Sequence, residues 1–374
     1  MHILICPDKF RGSLTAQEAC DALERGIKKR RPKSTIQKFP LADGGEGTLE
    51  VIQQAHGGSW ISVEVQDPLF RKIQAEYLWL ADQKMAYIEM SRASGLMLLK
   101  PKERDPSQTS SRGTGELILD AMEKGAEKIV LTLGGSATND AGIGMAHALG
   151  YRFLDGRGDE LVPIGKELVN IQKIIPGPLV DRIKLIEFFV ITDVQNPLAG
   201  ETGAAHVFAK QKGASAPIIK QLNKGLINVG VLMDALADNS ISMQAGAGAA
   251  GGLGAGAVFF LGAKMSLGAE WVLDKLHIDR AIRKADYVIT GEGKVDGQSW
   301  GGKLISQVLQ RADTQFKQTL IVCGAFEDAE KIPVFFDSAD IFSVMSKAEN
   351  EKDAMCNAGI YLEKIGEEIA LKYL

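Results

Sequence analysis

The stretch IVLTLGGSATNDAGIGMAHALG, residues 129–150, constrains the fold of this chain more than any other. Its apolar opening, Ile129 to Leu133, has the length and composition of a buried strand. A turn rich in glycine and hydroxyls follows, Gly134 to Asn139. Apolar residues then resume at helical spacing, with Ile143, Ala146 and Leu149 on one face. Strand, glycine turn and helix in that order predict a β–α unit of a parallel sheet. Asn139 or Asp140 is placed to cap the helix, because a short side-chain acceptor satisfies its first free N–H groups. Converging backbone donors at a helix start suit an anion, a phosphate above all, and Ser136 and Thr138 would add hydroxyls. The plainer reading is a tight turn whose glycines only supply positive φ. On this stretch alone the two readings stand level.

The same pattern opens the chain. Ile3–Cys6 is a short strand followed by PDKFRGSL, residues 7–14, and then a T-x-x-E capping box, Thr15 to Glu18. The helix that follows carries Ala19, Leu23 and Ile27 on one face and ends before Pro32. Ile36–Phe39 is a second strand, then LADGGEGT (41–48) and a helix that stops at Gly57-Gly58. At Trp60 the rhythm changes. Residues 60–65, 73–80 and 85–90 read as three successive strands with no helix between them, which predicts antiparallel pairing and a separate domain. Within it fall a helix over 116–124, the opening stretch, a strand over 184–192 and a long helix starting at Ser215 and Pro217. From Asp286 the first pattern returns: a strand over 287–290, GEGKVDGQSWGGK, a helix from Leu304, strands over 320–323 and 341–344, and a last helix through Ile369. The architecture predicted is α/β: a discontinuous doubly wound, Rossmann-like domain from 1–60 and 265–374, with a second α/β domain inserted over 61–264.

Composition excludes several functions. A net charge of −4 over 374 residues gives no electrostatic footprint for nucleic acid. The basic run Lys28–Arg31 sits where a helix ends, so the helix dipole accounts for it. The four cysteines and five histidines show no zinc spacing, and with no basic-then-apolar leader at Met1 a reducing cytoplasm is expected. Residues 245–263 carry no charge but are mostly Gly and Ala, too weakly apolar for a membrane span. Gly246-Ala-Gly248-Ala-Ala-Gly251 does match the dinucleotide pattern GxGxxG, yet no convincing strand precedes it and no acidic residue stands where a ribose contact needs one. A nicotinamide cofactor is therefore a minor alternative to close packing or a phosphate turn.

Three acidic, glycine-flanked loops could carry chemistry: Asp43-Gly44-Gly45-Glu46-Gly47; Gly291-Glu292-Gly293 with Lys294 and Asp296; and Asp193 in TDVQNPLAGETGA. Carboxylates beside such turns suit magnesium and phosphate together, although any one of them alone is better explained by turn-making. Asp193, just past a strand and before Asn196-Pro197, could accept a hydroxyl proton or hold a metal; an Asx turn explains it equally well. Lys9, Arg11, Arg92 and Arg112 could hold an anionic substrate, Arg112 most suggestively, in the loop SSRGTGE.

Taken together the stretches PDKFRGSL (7–14), ADGGEGT (42–48), SGL (94–96), RDP…TSSRGTGELI (104–118), GGSATNDAGIGMAHALG (134–150), TDVQNPLAGETGA (192–204), QKGAS (211–215), GAGAAGGLGAG (246–256) and ITGEGKVDGQS (289–299) resemble the type 1 glycerate kinase family, in family order over nearly the whole chain. The resemblance implies two α/β domains with the active site between them, and ATP- and Mg²⁺-dependent phosphorylation of glycerate, usually at the 2-hydroxyl to give 2-phosphoglycerate. Under it, Gly134, Gly135, Ser136, Thr138, Asn139, Gly246, Gly248 and Gly251 are expected at the nucleotide. Asp8, Lys9, Arg11, Ser13, Asp43 and Arg112 are expected at glycerate. Asp193 is the base or a magnesium ligand, with Glu292 and Asp296 as further ligands. Two positions depart from the family: Lys9 replaces a common Ser and Lys294 a common Arg, a point charge in place of a fork. Phosphorylation of the 3-hydroxyl or of another small hydroxy acid, an NAD-dependent oxidoreductase and a non-catalytic metabolite sensor are the alternatives. No membrane partner is expected, and a homodimer is left open.

Overall fold

The first helix forms where its capping box requires. In the computed structural model, which describes residues 1–45, 47–297, 299–300, 304–327 and 340–374, the Thr15 N–H donates to Glu18 Oε2 at 2.8 Å and the Glu18 N–H to Thr15 Oγ1 at 3.2 Å. Glu46, Gln298 and residues 301–303, which belong to the glycine motifs above, lie outside the described residues. In chain order the elements begin β1 (His2–Pro7), α1 (Ala16–Arg30), β2 (Thr35–Lys38) and α2 (Thr48–His56). They continue with β3 (Ser59–Gln66), β4 (Lys72–Leu80), β5 (Met85–Glu89), α3 (Ser91–Ser94), α4 (Arg112–Glu123), β6 (Lys128–Thr132) and α5 (Ile143–Ala148). Next are the hairpin strands β7 (Arg152–Leu154) and β8 (Lys173–Ile175), α6 (Val180–Ile183), β9 (Glu187–Thr192), α7 (Ala204–Phe208), α8 (Ala216–Ala237) and α9 (Ala249–Leu261). The chain closes with β10 (Lys264–Leu267), α10 (Gly268–Lys275), α11 (Ile278–Lys284), β11 (Tyr287–Val295), α12 (Leu304–Asp313), β12 (Gln318–Phe326), β13 (Asp340–Ser343), α13 (Glu351–Cys356) and α14 (Ala358–Lys372).

Two units result, Met1–Asp43 with Ala269–Leu374, and Gly44–Gly268. The first holds a parallel sheet in the order β13-β12-β11-β1-β2. Helices cover both faces, as doubly wound sheets require. Ala19, Leu23 and Ile27 of α1 join Leu362, Ile365 and Ile369 of α14 against one face, while Ile305 and Leu309 of α12 pack near Ile321 and Cys323 of β12. The chain leaves β1 towards β2 and leaves β11 towards β12, so the ends of β1 and β11 form the switch point at which such sheets bind ligands. α1 and α14 cross closely at Gly26, where a Cβ would lie 1.9 Å from the Glu363 carbonyl oxygen.

The second unit has a mixed sheet ordered β10-β9-β6-β5-β4-β3. β3, β4 and β5 pair antiparallel as the missing helices predicted, and β5, β6, β9 and β10 run parallel. The boundaries differ from those expected at 60/61 and 264/265. α2 was grouped with the opening β–α pattern, but its free N–H groups at Gly47 and Leu49 donate to Glu89 at the end of β5, at 3.0 and 3.2 Å. β10 belongs with the same unit because it pairs with β9. Among the described residues no helix is long and apolar enough to cross a membrane.

Candidate active site

In the second unit the turn after β6 is held by three other segments. Leu96 N–H donates to Gly135 O at 2.8 Å and Ala137 N–H to Ser94 O at 2.9 Å, so the SGL motif is a backbone clamp. Thr109 Oγ1 donates to Ala137 O at 3.0 Å. Lys212, from the QKGAS motif, donates its ammonium to Ser136 Oγ and to Thr138 O, both at 2.7 Å. Burial pushes that ammonium down to about 7. Of the N–H groups from Gly134 to Asp140, among the described residues only that of Ala137 donates to a protein acceptor. Thr138 Oγ1 and both amide atoms of Asn139 are buried with no hydrogen-bond partner. Such orphaned atoms are uncommon in a native interior and are ordinarily satisfied by an ordered water, an ion or a polar ligand.

The expected cap is corrected. α5 starts at Ile143 with Gly142 as its N-cap, because Ala141 (φ 52) and Gly142 (φ 73) both take left-handed backbone and turn the chain once more. Asp140 serves the helix from farther back. Its buried carboxylate accepts from Gly142 N–H at 3.2 Å, Gly144 N–H at 3.3 Å, Ser111 N–H at 2.7 Å and Ser111 Oγ at 2.8 Å. A six-residue helix has little dipole, so the anion reading rests on the turn's own donors.

Asp193 stands exposed directly after β9. Its loop and the 134–140 turn are joined by the GAGAAG stretch. Gly248 N–H donates to Asn196 O at 2.9 Å and Ala141 N–H to Gly251 O at 3.0 Å. A Cβ at Gly248 would lie 2.3 Å from Pro197 O, at Gly251 2.1 Å from Thr138 O, and at Gly246 2.2 Å from Met265 Sδ. Gly246, Gly248 and Gly251 are therefore close-packing positions that seat the neighbouring turns, and among the described residues no strand directly precedes them as a dinucleotide turn requires. Residues 134–140, the Asp193 loop and 246–252 thus come together at the carboxyl ends of β6 and β9.

The first unit gathers a second set at the β1–β11 switch point. Asp8, 9% exposed, donates its N–H to Gly291 O at 2.8 Å and accepts Lys9 N–H at 2.7 Å. Burial foremost, then the charges of Asp43 and Glu292, push its carboxyl up to about 7. Arg11, its side chain 80% exposed, pairs with Asp43 at 3.4 Å. Gly291 to Val295, expected in a loop after a strand ending at Thr290, belong instead to β11 itself. Gly291 is there for proximity, since a Cβ would lie 1.8 Å from Val322 O. Glu292 and Lys294 alternate along one side of that run, and Asp296 follows directly after its end. Ser13 departs from its expected role, its hydroxyl donating to Met355 O at 2.7 Å. Among the described residues no three His, Cys, Asp or Glu side chains form a group able to hold a metal ion.

Arg112 is already engaged within its own unit. It begins α4, donates its Nε to Glu116 Oε1 at 3.0 Å and stands against His147, so a carboxylate already neutralises it. Arg92 is engaged likewise, by Glu89 at 3.0 Å, by Glu50 and by the Trp60 ring at 4.6 Å. Sequence reasoning missed Lys212. The only signal was its place in a quoted motif, and a lysine beside Gly213 looks like any solvated cation.

The glycerate kinase family model matches residues 3–374. The chain is 42% identical to a glycerate kinase of Haemophilus influenzae Rd over 337 residues, covering 90% of this chain and 89% of that one. It is 38% identical to a glycerate kinase of Halalkalibacterium halodurans over 370 residues, 99% and 97% of the two chains. It is 39% identical to the glycerate 2-kinase of Escherichia coli K12 over 346 residues, 92% and 91%. A crystal structure assigned to glycerate kinase 2 of Salmonella typhimurium LT2 superposes with a TM-score of 0.84 at 37% identity, covering 99% of this chain and 97% of that one. The chain belongs to the glycerate kinase family.

Proposed function

We propose that this protein transfers the γ-phosphoryl group of ATP to the 2-hydroxyl of glycerate, giving 2-phosphoglycerate. The observation that carries the reading is the 134–140 turn, whose N–H groups other than that of Ala137, Thr138 hydroxyl and Asn139 carboxamide have no partner among the described residues, at the ends of β6 and β9. Phosphoryl transfer asks of a protein chiefly position and charge stabilisation, and converging amide donors supply both to phosphate oxygens. The nucleotide is assigned to Gly134, Gly135, Ser136, Thr138 and Asn139, with Gly246, Gly248 and Gly251 holding that turn in place.

Asp193, exposed beside the turn, takes the proton of the attacking hydroxyl or serves as a metal ligand. Mg²⁺ prefers one or two carboxylates with phosphate oxygens and water, which a strand-end aspartate beside the turn suits without a protein cage. When bound it would neutralise charge on the transferring group. Glycerate is assigned to the first unit by charge. Lys9 and Arg11 suit its carboxylate, while Asp8 and Asp43 suit its hydroxyls as acceptors, since a carboxylate facing a carboxylate repels. Arg112 and Ser13 are left out because Glu116 and the Met355 carbonyl hold them, whereas Arg11, though 3.4 Å from Asp43, keeps a side chain 80% exposed. The cytoplasm is the assigned compartment, in keeping with the unpaired thiols of Cys6, Cys20 and Cys323 in the interior.

The test is purified protein with MgATP and glycerate, the product identified by phosphorus and carbon NMR. Phosphate on the 2-hydroxyl is expected. No ATP-dependent product, or phosphate on the 3-hydroxyl, overturns the assignment.

A further inference from the structure

Beneath the 134–140 turn lies a charge to which the reaction above gives no task. Lys212, 3% exposed, lies between α7 and α8, and both of its hydrogen-bond acceptors, Ser136 Oγ and Thr138 O, are neutral. Among the described residues the one carboxylate whose charge reaches it is Asp140, which is already satisfied by donors from Ser111, Gly142 and Gly144. An ammonium buried on neutral partners is costly, and a loop tether needs only a neutral donor. The same few residues hold three orphaned polar atoms, Thr138 Oγ1, Asn139 Oδ1 and Asn139 Nδ2, with Asn139 1% exposed. A cation with no close counter-charge and unpaired hydrogen-bonding atoms around one turn describe a site completed by an anion.

The geometry points to Lys212 as the positioning cation of the nucleotide site: seated under Ser136 and Thr138, it fixes their oxygens and supplies the positive charge against which a nucleotide phosphate binds. The Thr138 hydroxyl and the Asn139 Nδ2 amide then donate to phosphate oxygens the hydrogen bonds that the protein itself leaves unmade, while Asn139 Oδ1, an acceptor, takes no part in holding the anion. This rests on the nucleotide reading of the turn and adds to it a residue outside the glycine loops.

Lys212→Met keeps the length of the side chain and removes its charge and donors. Calorimetry with two probes, ADP and tripolyphosphate, each with Mg²⁺, should show binding weakened at least thirtyfold, about 2 kcal/mol. The KM for ATP should rise while that for glycerate stays within twofold. The nucleotide-free variant should melt close to wild type, because the lost hydrogen bonds are offset by removal of a buried charge. Binding of both probes within threefold of wild type overturns the inference, as does wild-type protein that binds neither. If the Met variant does not fold, Lys212→Gln, which can still donate to both oxygens, is read against the same two outcomes. Absence of phosphoglycerate from wild type would overturn the proposed reaction alone, because the two probes are read without glycerate turnover.

Discussion

Gly251 and Gly262 form a matched pair for testing how the candidate site is assembled. Both are left-handed, at φ 70 and φ 67, so an alanine at either pays a similar backbone penalty of about 1–2 kcal/mol. Only their surroundings differ. Among the described residues nothing lies within 4 Å of a Cβ at Gly262, whereas at Gly251 it would stand 2.1 Å from the Thr138 carbonyl oxygen and 2.6 Å from Asn139 Cα. The two turns must part by roughly 1 Å to reach ordinary contact. Overpacking of that kind adds about 1–3 kcal/mol and threatens the 3.0 Å hydrogen bond from Ala141 N–H to Gly251 O. Gly251→Ala should therefore be about 1–3 kcal/mol less stable than Gly262→Ala in urea unfolding followed by circular dichroism, and should melt lower by about 2–4 °C for each kcal/mol. Its KM for ATP should also rise, since the displaced residues are Thr138 and Asn139, while Gly262→Ala leaves KM alone. Equal stabilities for the two variants would refute the close approach of the 246–252 stretch to the turn.

Asp193→Asn should lower kcat more than tenfold, a barrier change of about 1.4 kcal/mol; a smaller loss in steady-state assays removes Asp193 as the base. Asp8 sets a pH dependence. Its carboxyl stands at about 7 in the folded protein against an ordinary 3.8, chiefly through burial. The folded state thus holds the extra proton between those values, and stability falls as pH rises through that window. Relative to wild type, Asp8→Asn should gain on the order of 2–4 kcal/mol in urea unfolding between pH 4 and pH 8, and a pH-independent offset would contradict this. Gly26→Ala should force α1 from α14, because its Cβ would meet the Glu363 carbonyl at 1.9 Å. The expected loss is about 3 kcal/mol against about 1 kcal/mol regained in helix propensity, with ADP binding unchanged by calorimetry.

Much of the scaffold was legible in residue order because it depends on local periodicity and capping. The Thr15–Glu18 box, the helix from Ser215 and Pro217, and the three antiparallel strands after residue 59 follow from side-chain spacing and end signals that act within a few residues. Where a long-range partner intervened, local reading failed. α2 resembles the opening β–α units in sequence, yet it is capped by Glu89, some forty positions away, and so joins the other unit. Gly291 and Gly293 look like turn residues, yet they are strand residues whose missing Cβ admits Val322 and Phe10.

The site divides along the same line. Glycine-rich turns and acidic loops advertise themselves in one dimension, because positive φ and short polar side chains leave compositional marks. Together with their order they sufficed to identify the family. Which of those groups remain available to a ligand was decided only by tertiary structure, since availability depends on whether another segment has already engaged them. Arg112 is held by Glu116, and Ser13 by the Met355 carbonyl. Lys212, unremarkable in the sequence, was drawn out of water beneath the very turn whose donors were left unpaired.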